Sequence, residues 1–341
     1  MIGDHLHWYL TDRCNLRCPY CFKPDFGYDI DDEMNLKLAG MVADSDIKKV
    51  TLGGGEPLLA KNIREIARIL RKGGKYVSLH TNGVLLSEKL IQEIDADDIA
   101  IPIDTMDRKV QLQLRGERFS STFDDLHNIA KRILESEKGL GYHTVFTALN
   151  LEDIPGMYKV LTDFDYWRIY EMNYELAWQN VVDHKDIGRY NMIDVLKGPC
   201  TLKKGHTDSL FARFLLQDEH DDPRVQYVSK LDAKEPYAFL ENSGDITYYT
   251  RSSFRKRDVA GNIFHDGYDS IRDFLQIVDE DYKHDEESFL ESTIGDLPLW
   301  ARLWDGSFRE EEILQVDKEY IDTMLRLSRL FQKRFLDQDD H

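Results

Sequence analysis

The chain has 341 residues, of which 42% are hydrophobic and 11% aromatic, and its net charge is −19. A chain of this length and composition can bury a large core, which excludes a wholly disordered protein. The acidic balance argues against partners such as nucleic acid or an anionic membrane, and no apolar run reaches membrane-spanning length. The opening residues lack the basic-then-apolar order of a signal peptide, so we expect a cytoplasmic protein.

Short apolar runs alternate with helical patterns along the first half. The predicted strands span residues 5–10, 49–52, 76–80, 99–104, 144–149 and 166–172. The predicted helices span residues 32–43, 62–72, 87–94, 123–136 and 154–163. This alternation predicts an α/β fold with a parallel sheet and right-handed crossovers. Six such units fit an open, partial (β/α)6 barrel of the TIM type better than a closed eightfold one.

The pattern changes after about residue 173. Two short runs at residues 237–240 and 245–250 flank a Glu-Asn-Ser-Gly turn and predict a hairpin. A helix is predicted at residues 270–278, and a long amphipathic helix near the end of the chain. We therefore expect a core at residues 1–175. A C-terminal α+β extension at residues 176–290 would cover the substrate, and a helical tail would occupy residues 291–341.

Three of the four cysteines lie within eight residues, in the run Cys14-Asn-Leu-Arg-Cys18-Pro-Tyr-Cys21 after the first predicted strand. In a reducing compartment such bunching indicates a metal site rather than disulfides. Three thiolates on one loop can hold three corners of an iron–sulfur cubane and leave the fourth iron open. The spacing also allows a structural zinc site with His5 or His7 as the fourth ligand.

The cysteine run, followed by Gly53-Gly-Gly-Glu-Pro57, resembles the radical SAM superfamily over about residues 6–173. The resemblance implies a [4Fe–4S] cluster on Cys14, Cys18 and Cys21, with S-adenosylmethionine (SAM) bound to its open iron. It implies that SAM is cleaved reductively and that the resulting 5′-deoxyadenosyl radical abstracts a hydrogen from a substrate. A reductant such as flavodoxin or ferredoxin is the implied partner. Because Cys200 stands alone, a second cluster is not expected.

The resemblance also implies which residues hold SAM. These residues follow the predicted strands or the cysteines and comprise Tyr20, Gly53, Gly54, Gly55, Glu56, Pro57, Thr81, Asn82, Asp104, Arg115, Thr147 and Asn150. Glycines allow close approach of the backbone to a ligand, and Arg115 would pair with the SAM carboxylate. The family often has serine where this chain has Pro102, so one implied contact is missing.

The expected substrate is a small, nucleotide- or sugar-like molecule, and the reaction that of an oxidoreductase or a lyase. Candidate substrate residues are Lys23, Arg168, Tyr170, Lys203 and Arg251. The sixth strand alternates, so Arg168 and Tyr170 share one face while Trp167 and Ile169 share the other. Either face could line the barrel.

The cysteine-poor C-terminal extension and the Trp167-Arg168 strand are distantly similar to viperins. Viperins grip a nucleotide triphosphate with three basic residues, and the corresponding positions here are Thr144, Tyr166 and Arg168. Only one of these is basic, which weakens the hypothesis of a viperin-like nucleotide dehydratase. Two further alternatives stay open: a peptide-modifying maturase and a non-catalytic, structural metal-binding protein.

Overall fold

The computed structural model describes residues 4–18, 20–21, 31–116, 118–146, 150, 153–161, 163–171, 222–228, 238–241, 243–248 and 258–265. The elements in chain order are β1 (His5–Thr11), α1 (Asp32–Asp44), β2 (Lys49–Gly54), α2 (Ile63–Lys72), β3 (Tyr76–His80), α3 (Glu88–Glu93), β4 (Asp98–Pro102), α4 (Arg108–Arg115), α5 (Phe123–Glu135), β5 (Gly139–Phe146), α6 (Ile154–Val160), β6 (Tyr166–Glu171), β7 (Val225–Val228), β8 (Ala238–Leu240), β9 (Asp245–Tyr248) and β10 (Asp258–Asn262). In the described part of the chain no helix is long and apolar enough to cross a membrane.

All of these strands belong to one sheet in the order β10-β9-β8-β1-β2-β3-β4-β5-β6-β7. Strands β1 to β7 pair as parallel neighbours in chain order, with helices between consecutive strands from β1 to β6. The predicted α/β class and partial barrel are thereby confirmed. The predicted hairpin forms β8 and β9, and β8 adds to the free side of β1 in parallel. Strands from the second half of the chain therefore extend the sheet of the first half.

The outward faces of the parallel strands form the main core. Alternate residues on each strand pack against the helices and are fully or almost fully buried: Leu6, Trp8, Leu10, Val50, Leu52, Val77, Leu79, Ile99, Ile101, Leu140, Tyr142, Trp167 and Ile169. Helix α2 supplies a matching stripe, since its buried residues Ile63, Ile66, Ala67 and Leu70 follow helical spacing. The side chains between these positions must face the barrel interior.

Some boundaries differ from those expected. Strand β4 ends at Pro102, so Asp104 lies two residues beyond it rather than at its end. Strand β5 begins at Gly139, five residues before the predicted start, because its two glycines resemble a turn in the sequence. Helix α4 was not predicted; its first turn begins after Asp107, whose side chain accepts hydrogen bonds from the backbone N–H groups of Lys109 and Val110. The predicted helix at residues 270–278 and the helical tail lie outside the described residues.

The inner face of β5 shows why a glycine suits this strand. The ring of Tyr166 on β6 lies against Gly141, where a Cβ atom would overlap it. The Tyr166 hydroxyl donates to Asp98 Oδ1 at 2.9 Å, and Ser78 Oγ donates to the same oxygen at 2.6 Å. Three strands are thus tied together near the amino-terminal end of the barrel, and the tie requires a residue without a side chain on β5.

We expect Gly141→Ala to lower the free energy of unfolding by about 1–3 kcal/mol, the usual cost of overpacking. The added methyl group would push the Tyr166 ring and break its hydrogen bond to Asp98. Thermal and urea unfolding of the purified chain measure this change. Gly40→Ala is the matched control, because a Cβ atom at this α1 position meets nothing within 4 Å. It should stabilise the chain by about 0.5–1 kcal/mol. An equal loss of stability in both variants would contradict the close packing of Tyr166 on Gly141.

Candidate active site

The three clustered cysteines lie on the loop that follows β1, at the carboxyl-terminal edge of the sheet. All three thiols are half-buried, and none of them is in a disulfide bond. The backbone N–H of Leu16 donates to Cys14 Sγ at 3.4 Å, and Asn82 Nδ2 donates to the same sulfur at 4.0 Å. The backbone N–H of Cys21 donates to the carbonyl of Cys18 at 3.0 Å, which closes a turn between the second and third cysteines.

Burial controls the protonation of these thiols. It raises the pKa of Cys14 to about 11 and that of Cys18 to about 12. Negative charge on Cys21 raises both pKa values further, so Cys21 interacts electrostatically with Cys14 and with Cys18. The Cys14 and Cys18 thiols therefore stay protonated at neutral pH unless bound metal supplies positive charge.

The donor set decides which metal group fits. Among the described residues, no three His, Cys, Asp or Glu side chains are grouped closely enough to hold a metal ion. The predicted zinc ligands lie elsewhere: His5 Nε2 is 2.7 Å from Thr51 Oγ1, and the ring of His7 packs 5.6 Å from that of Phe239. A cubane separates its three thiolates more widely than one ion does. Three thiolates on one loop suit a [4Fe–4S] cluster, and the two histidines that could have completed a zinc site contact residues of other strands.

The glycine-rich turn after β2 packs directly on the cysteine loop. Gly54 has a φ of +125°, and a Cβ atom there would lie 2.5 Å from the carbonyl oxygen of Thr11. A Cβ atom at Gly55 would overlap the carbonyl of Arg13. The N–H of Gly55 donates to Thr11 O at 2.6 Å and that of Glu56 to Arg13 O at 2.8 Å. These glycines thus permit close approach of the cysteine-loop backbone, a role beyond the ligand contact expected of them.

Glu56 joins its own turn to the loop after β3 through a fully buried carboxylate. Its Oε1 accepts from Thr81 Oγ1 at 2.6 Å and from the N–H of Leu58 at 3.1 Å, while Oε2 accepts from the N–H of Asn82 at 2.8 Å. The pKa of Glu56 is raised, because the effect of burial exceeds the opposing effect of these three hydrogen bonds. Pro57 begins the short 3-10 turn Pro57–Leu59 that Glu56 caps. The carboxylate holds the Thr81–Asn82 turn, and Asn82 in turn reaches Cys14.

Asp104 forms a second buried network on the β4 side of the site. Arg115 Nη2 lies 2.6 Å and Nε 2.7 Å from Asp104 Oδ2, which also accepts from the Tyr20 hydroxyl at 2.8 Å. The N–H of Val145 donates to Oδ1 at 2.9 Å, and Asn150 Nδ2 donates to the backbone carbonyls of Asp104 and Val145, both at 2.9 Å. The network joins the cysteine loop to the ends of β4, α4 and β5.

The structure thus gathers most of the expected SAM residues at one edge of the sheet, in two groups. Residues 53–57, Thr81 and Asn82 form the first group, and the Asp104 network forms the second. Arg115 pairs with Asp104 here, so its expected pairing with the SAM carboxylate stays a prediction. Thr147, Lys23, Lys203 and Arg251 lie outside the described residues.

The barrel interior contains predicted side chains and also His80 and His143, which were not among the predicted site residues. Arg168 and Tyr170 do face inward, because their neighbours Trp167 and Ile169 are buried under the helices. His143 lies beside Tyr170, with ring centroids 5.2 Å apart. The other inward residues include His5, His7 and His80. Alternation of histidine with apolar residues along β1, β3 and β5 was the available signal. Thr144, a position of the viperin clamp, faces outward and accepts from Trp167 Nε1 at 2.8 Å.

Comparison with known proteins agrees with this geometry. Residues 8–161 match the family model of the Radical SAM superfamily. The chain is similar to the mitochondrial GTP 3′,8-cyclase of Arabidopsis thaliana, with 38% identity over 116 residues that make up 30% of each chain. It is 31% identical to a probable GTP 3′,8-cyclase of Methanopyrus kandleri over 162 residues, which are 46% of this chain and 52% of that protein. The matches span about half or less of these relatives.

Solved structures share the fold. SuiB from Streptococcus suis bound to precursor peptide SuiA superposes with a TM-score of 0.52 at 15% identity, covering 79% of this chain and 64% of that one. Native anSMEcpe with bound AdoMet and Cp18Cys peptide gives a TM-score of 0.52 at 16% identity and covers 98% of both chains. At these identities the likeness concerns the fold alone.

We expect Asp104→Asn to lower the free energy of unfolding by about 3–5 kcal/mol, because it leaves the Arg115 charge buried without its partner. The side chains of Asp104 and Arg115 are only 1% and 10% exposed. Glu93→Gln is the matched control, since Glu93 pairs with Arg64 on the surface at 3.2 Å. It should cost less than about 1 kcal/mol. Urea unfolding measures the free energy of unfolding of both variants. A loss in Asp104→Asn as small as that expected of Glu93→Gln would contradict the importance of the buried pair.

Proposed function

We propose that the protein is a radical SAM enzyme with a [4Fe–4S] cluster on Cys14, Cys18 and Cys21, because residues 8–161 match the family model of the Radical SAM superfamily. The observation that carries this proposal is the packing of the cysteine loop on the glycine-rich turn at the carboxyl-terminal edge of a parallel sheet. When bound, the cluster and SAM would supply a 5′-deoxyadenosyl radical that removes a hydrogen atom from the substrate.

The residues of the chain orient and enclose these groups. Glu56 positions the Thr81–Asn82 turn, and the donors Leu16 N–H and Asn82 Nδ2 stabilise negative charge on Cys14 Sγ. Asp104 holds the Tyr20 ring against the cation of Arg115, whose guanidinium carbon lies 5.4 Å from the ring centre. Half-burial of the cysteines limits access of water to the cluster.

The proposed substrate is a small, nucleotide- or sugar-like molecule bound in the barrel interior. Two observations support this class. The first is the similarity to relatives named GTP 3′,8-cyclase, whose name specifies a nucleotide. The second is the polar inner face with Arg168 and Tyr170. A reductant such as flavodoxin or ferredoxin would supply the electron. These assignments concern the whole protein, of which the matched domain is one part.

The decisive experiment is anaerobic reconstitution of the full chain with iron and sulfide, followed by addition of dithionite and SAM. We expect visible cluster absorbance and release of 5′-deoxyadenosine. Absence of 5′-deoxyadenosine from a preparation that carries the cluster would refute the enzymatic proposal and favour a structural metal-binding protein.

Cys18→Ala should remove the cluster absorbance and lower SAM cleavage by more than about 100-fold, since even loss of an outer-shell partner of a metal costs about 10–100-fold. Cys200→Ala is the matched control, because Cys200 stands outside the motif. It should retain both the absorbance and the cleavage. If Cys18→Ala keeps a wild-type cluster, Cys18 is not a ligand.

A further inference from the structure

The interior of the barrel is rich in imidazole. His5 and His7 from β1, His80 from β3 and His143 from β5 all lie on the inner face. The rings of His80 and His143 meet edge to face with centroids 4.3 Å apart. The Nε2 atoms of both residues are buried and have no hydrogen-bond partner among the described residues. A buried polar atom of this kind is costly unless a ligand or water satisfies it.

Small residues border these two rings on the inner face. Ala100 on β4 pairs in register with His80 on one side and with Gly141 of β5 on the other. Both positions have little or no side chain on the inner face. His80 and His143 are partly exposed, whereas the outward residues Leu79 and Leu140 beside them are fully buried. Both rings lie on the inner face of the sheet.

A permanent cation lies beside these two histidines. Arg168 on β6 pairs in register with His143, and its guanidinium carbon lies 4.8 Å from the centre of the Tyr166 ring. Burial lowers the pKa of His80 and of His143 well below the usual range, and the positive charge of Arg168 lowers both further. The imidazoles are therefore neutral at neutral pH, and each can donate one N–H beside a permanent cation.

The inner face also holds the carboxylate of Asp98. Its Oδ1 accepts from Ser78 and Tyr166. The chain as a whole carries a net charge of −19. The Arg168 cation beside two neutral N–H donors is expected to attract an anion from solution.

We propose that Arg168 and the Nε2 atoms of His80 and His143 form a subsite for an anionic group of the substrate, a carboxylate or a phosphate. Charge-assisted hydrogen bonds from a guanidinium and two neutral N–H donors match the oxygens of either group. This inference rests on the proposed function. It restricts the substrate to small organic acids or phosphorylated molecules, held by the end opposite the reacting carbon.

The location suits that orientation. His80 directly precedes Thr81 of the turn that Glu56 holds, so the subsite lies in the barrel below the expected SAM position. A substrate anchored there would extend its remaining atoms toward the carboxyl-terminal edge of the sheet. Hydrogen abstraction requires such an approach to the 5′ carbon of SAM.

The test is isothermal titration calorimetry on the full chain with its reconstituted cluster, at constant ionic strength. The probes are inorganic phosphate, acetate and, as the neutral comparison, glucose. We expect saturable binding of phosphate, acetate or both, and none of glucose. Binding of phosphate alone indicates a phosphorylated substrate, and binding of acetate alone indicates a carboxylic acid; each supports the subsite. Binding of neither anion overturns it.

Variants identify the site. Arg168→Gln should weaken anion binding about tenfold or more, which corresponds to loss of one charge-assisted pair. Arg68→Gln is the matched control, because Arg68 forms a surface ion pair with Glu65. His143→Phe, which keeps a ring but removes Nε2, provides a second measurement if Arg168→Gln does not fold. Unchanged affinity in a folded Arg168→Gln or His143→Phe variant overturns the proposal.

The same wild-type preparation separates this inference from the proposed function. Release of 5′-deoxyadenosine without anion binding refutes the subsite alone. Anion binding without 5′-deoxyadenosine refutes the radical SAM activity and leaves an anion site in the barrel.

Discussion

The arrangement of the site depends on a backbone contact between two loops. The turn after β2 lies so close to the loop after β1 that Gly54 and Gly55 have no room for a side chain, and two backbone hydrogen bonds join the loops. This contact fixes the cysteine loop relative to the sheet. It also turns the Glu56 side chain toward β3, so the third strand is tied to the same assembly.

Buried charge organises the other side of the site. Asp104 carries a negative charge at a position with almost no access to water, which is tolerable because Arg115, Tyr20 and Val145 all donate to it. A hydrophobic substitute could pack as well but could not direct four chain segments to one point. The ion pair is therefore better understood as an orienting element than as a source of stability. It holds the ring of Tyr20, the residue before the third cysteine, beside Arg115.

The two faces of the barrel strands follow opposite rules. The outward face is apolar and packs under helices, as parallel sheets require. The inward face contains histidines, tyrosines and an arginine, with small residues on β4 and β5 between them. Burial keeps the histidines neutral, so the interior can hold many polar groups with few net charges. Such a surface is suited to binding and costly for folding alone.

The sequence by itself determined the metal chemistry and the alternation of strands and helices in the first half. The spacing of Cys14, Cys18 and Cys21 and the glycines at residues 53–55 are local patterns, and short apolar runs located strands β1 to β6. The hidden start of β5 shows the limit of such patterns, since Gly141 is explained by the ring of Tyr166, twenty-five residues later.

Only the tertiary structure decided which side chains meet. The pairing of Arg115 with Asp104, the convergence of His80 and His143, and the inward direction of Arg168 depend on strand register and on what covers the opposite face. These contacts join residues far apart in the chain, and their geometry follows from the curvature of a whole sheet. No window of sequence contains that information, because the same alternation permits either face of a strand to line the barrel.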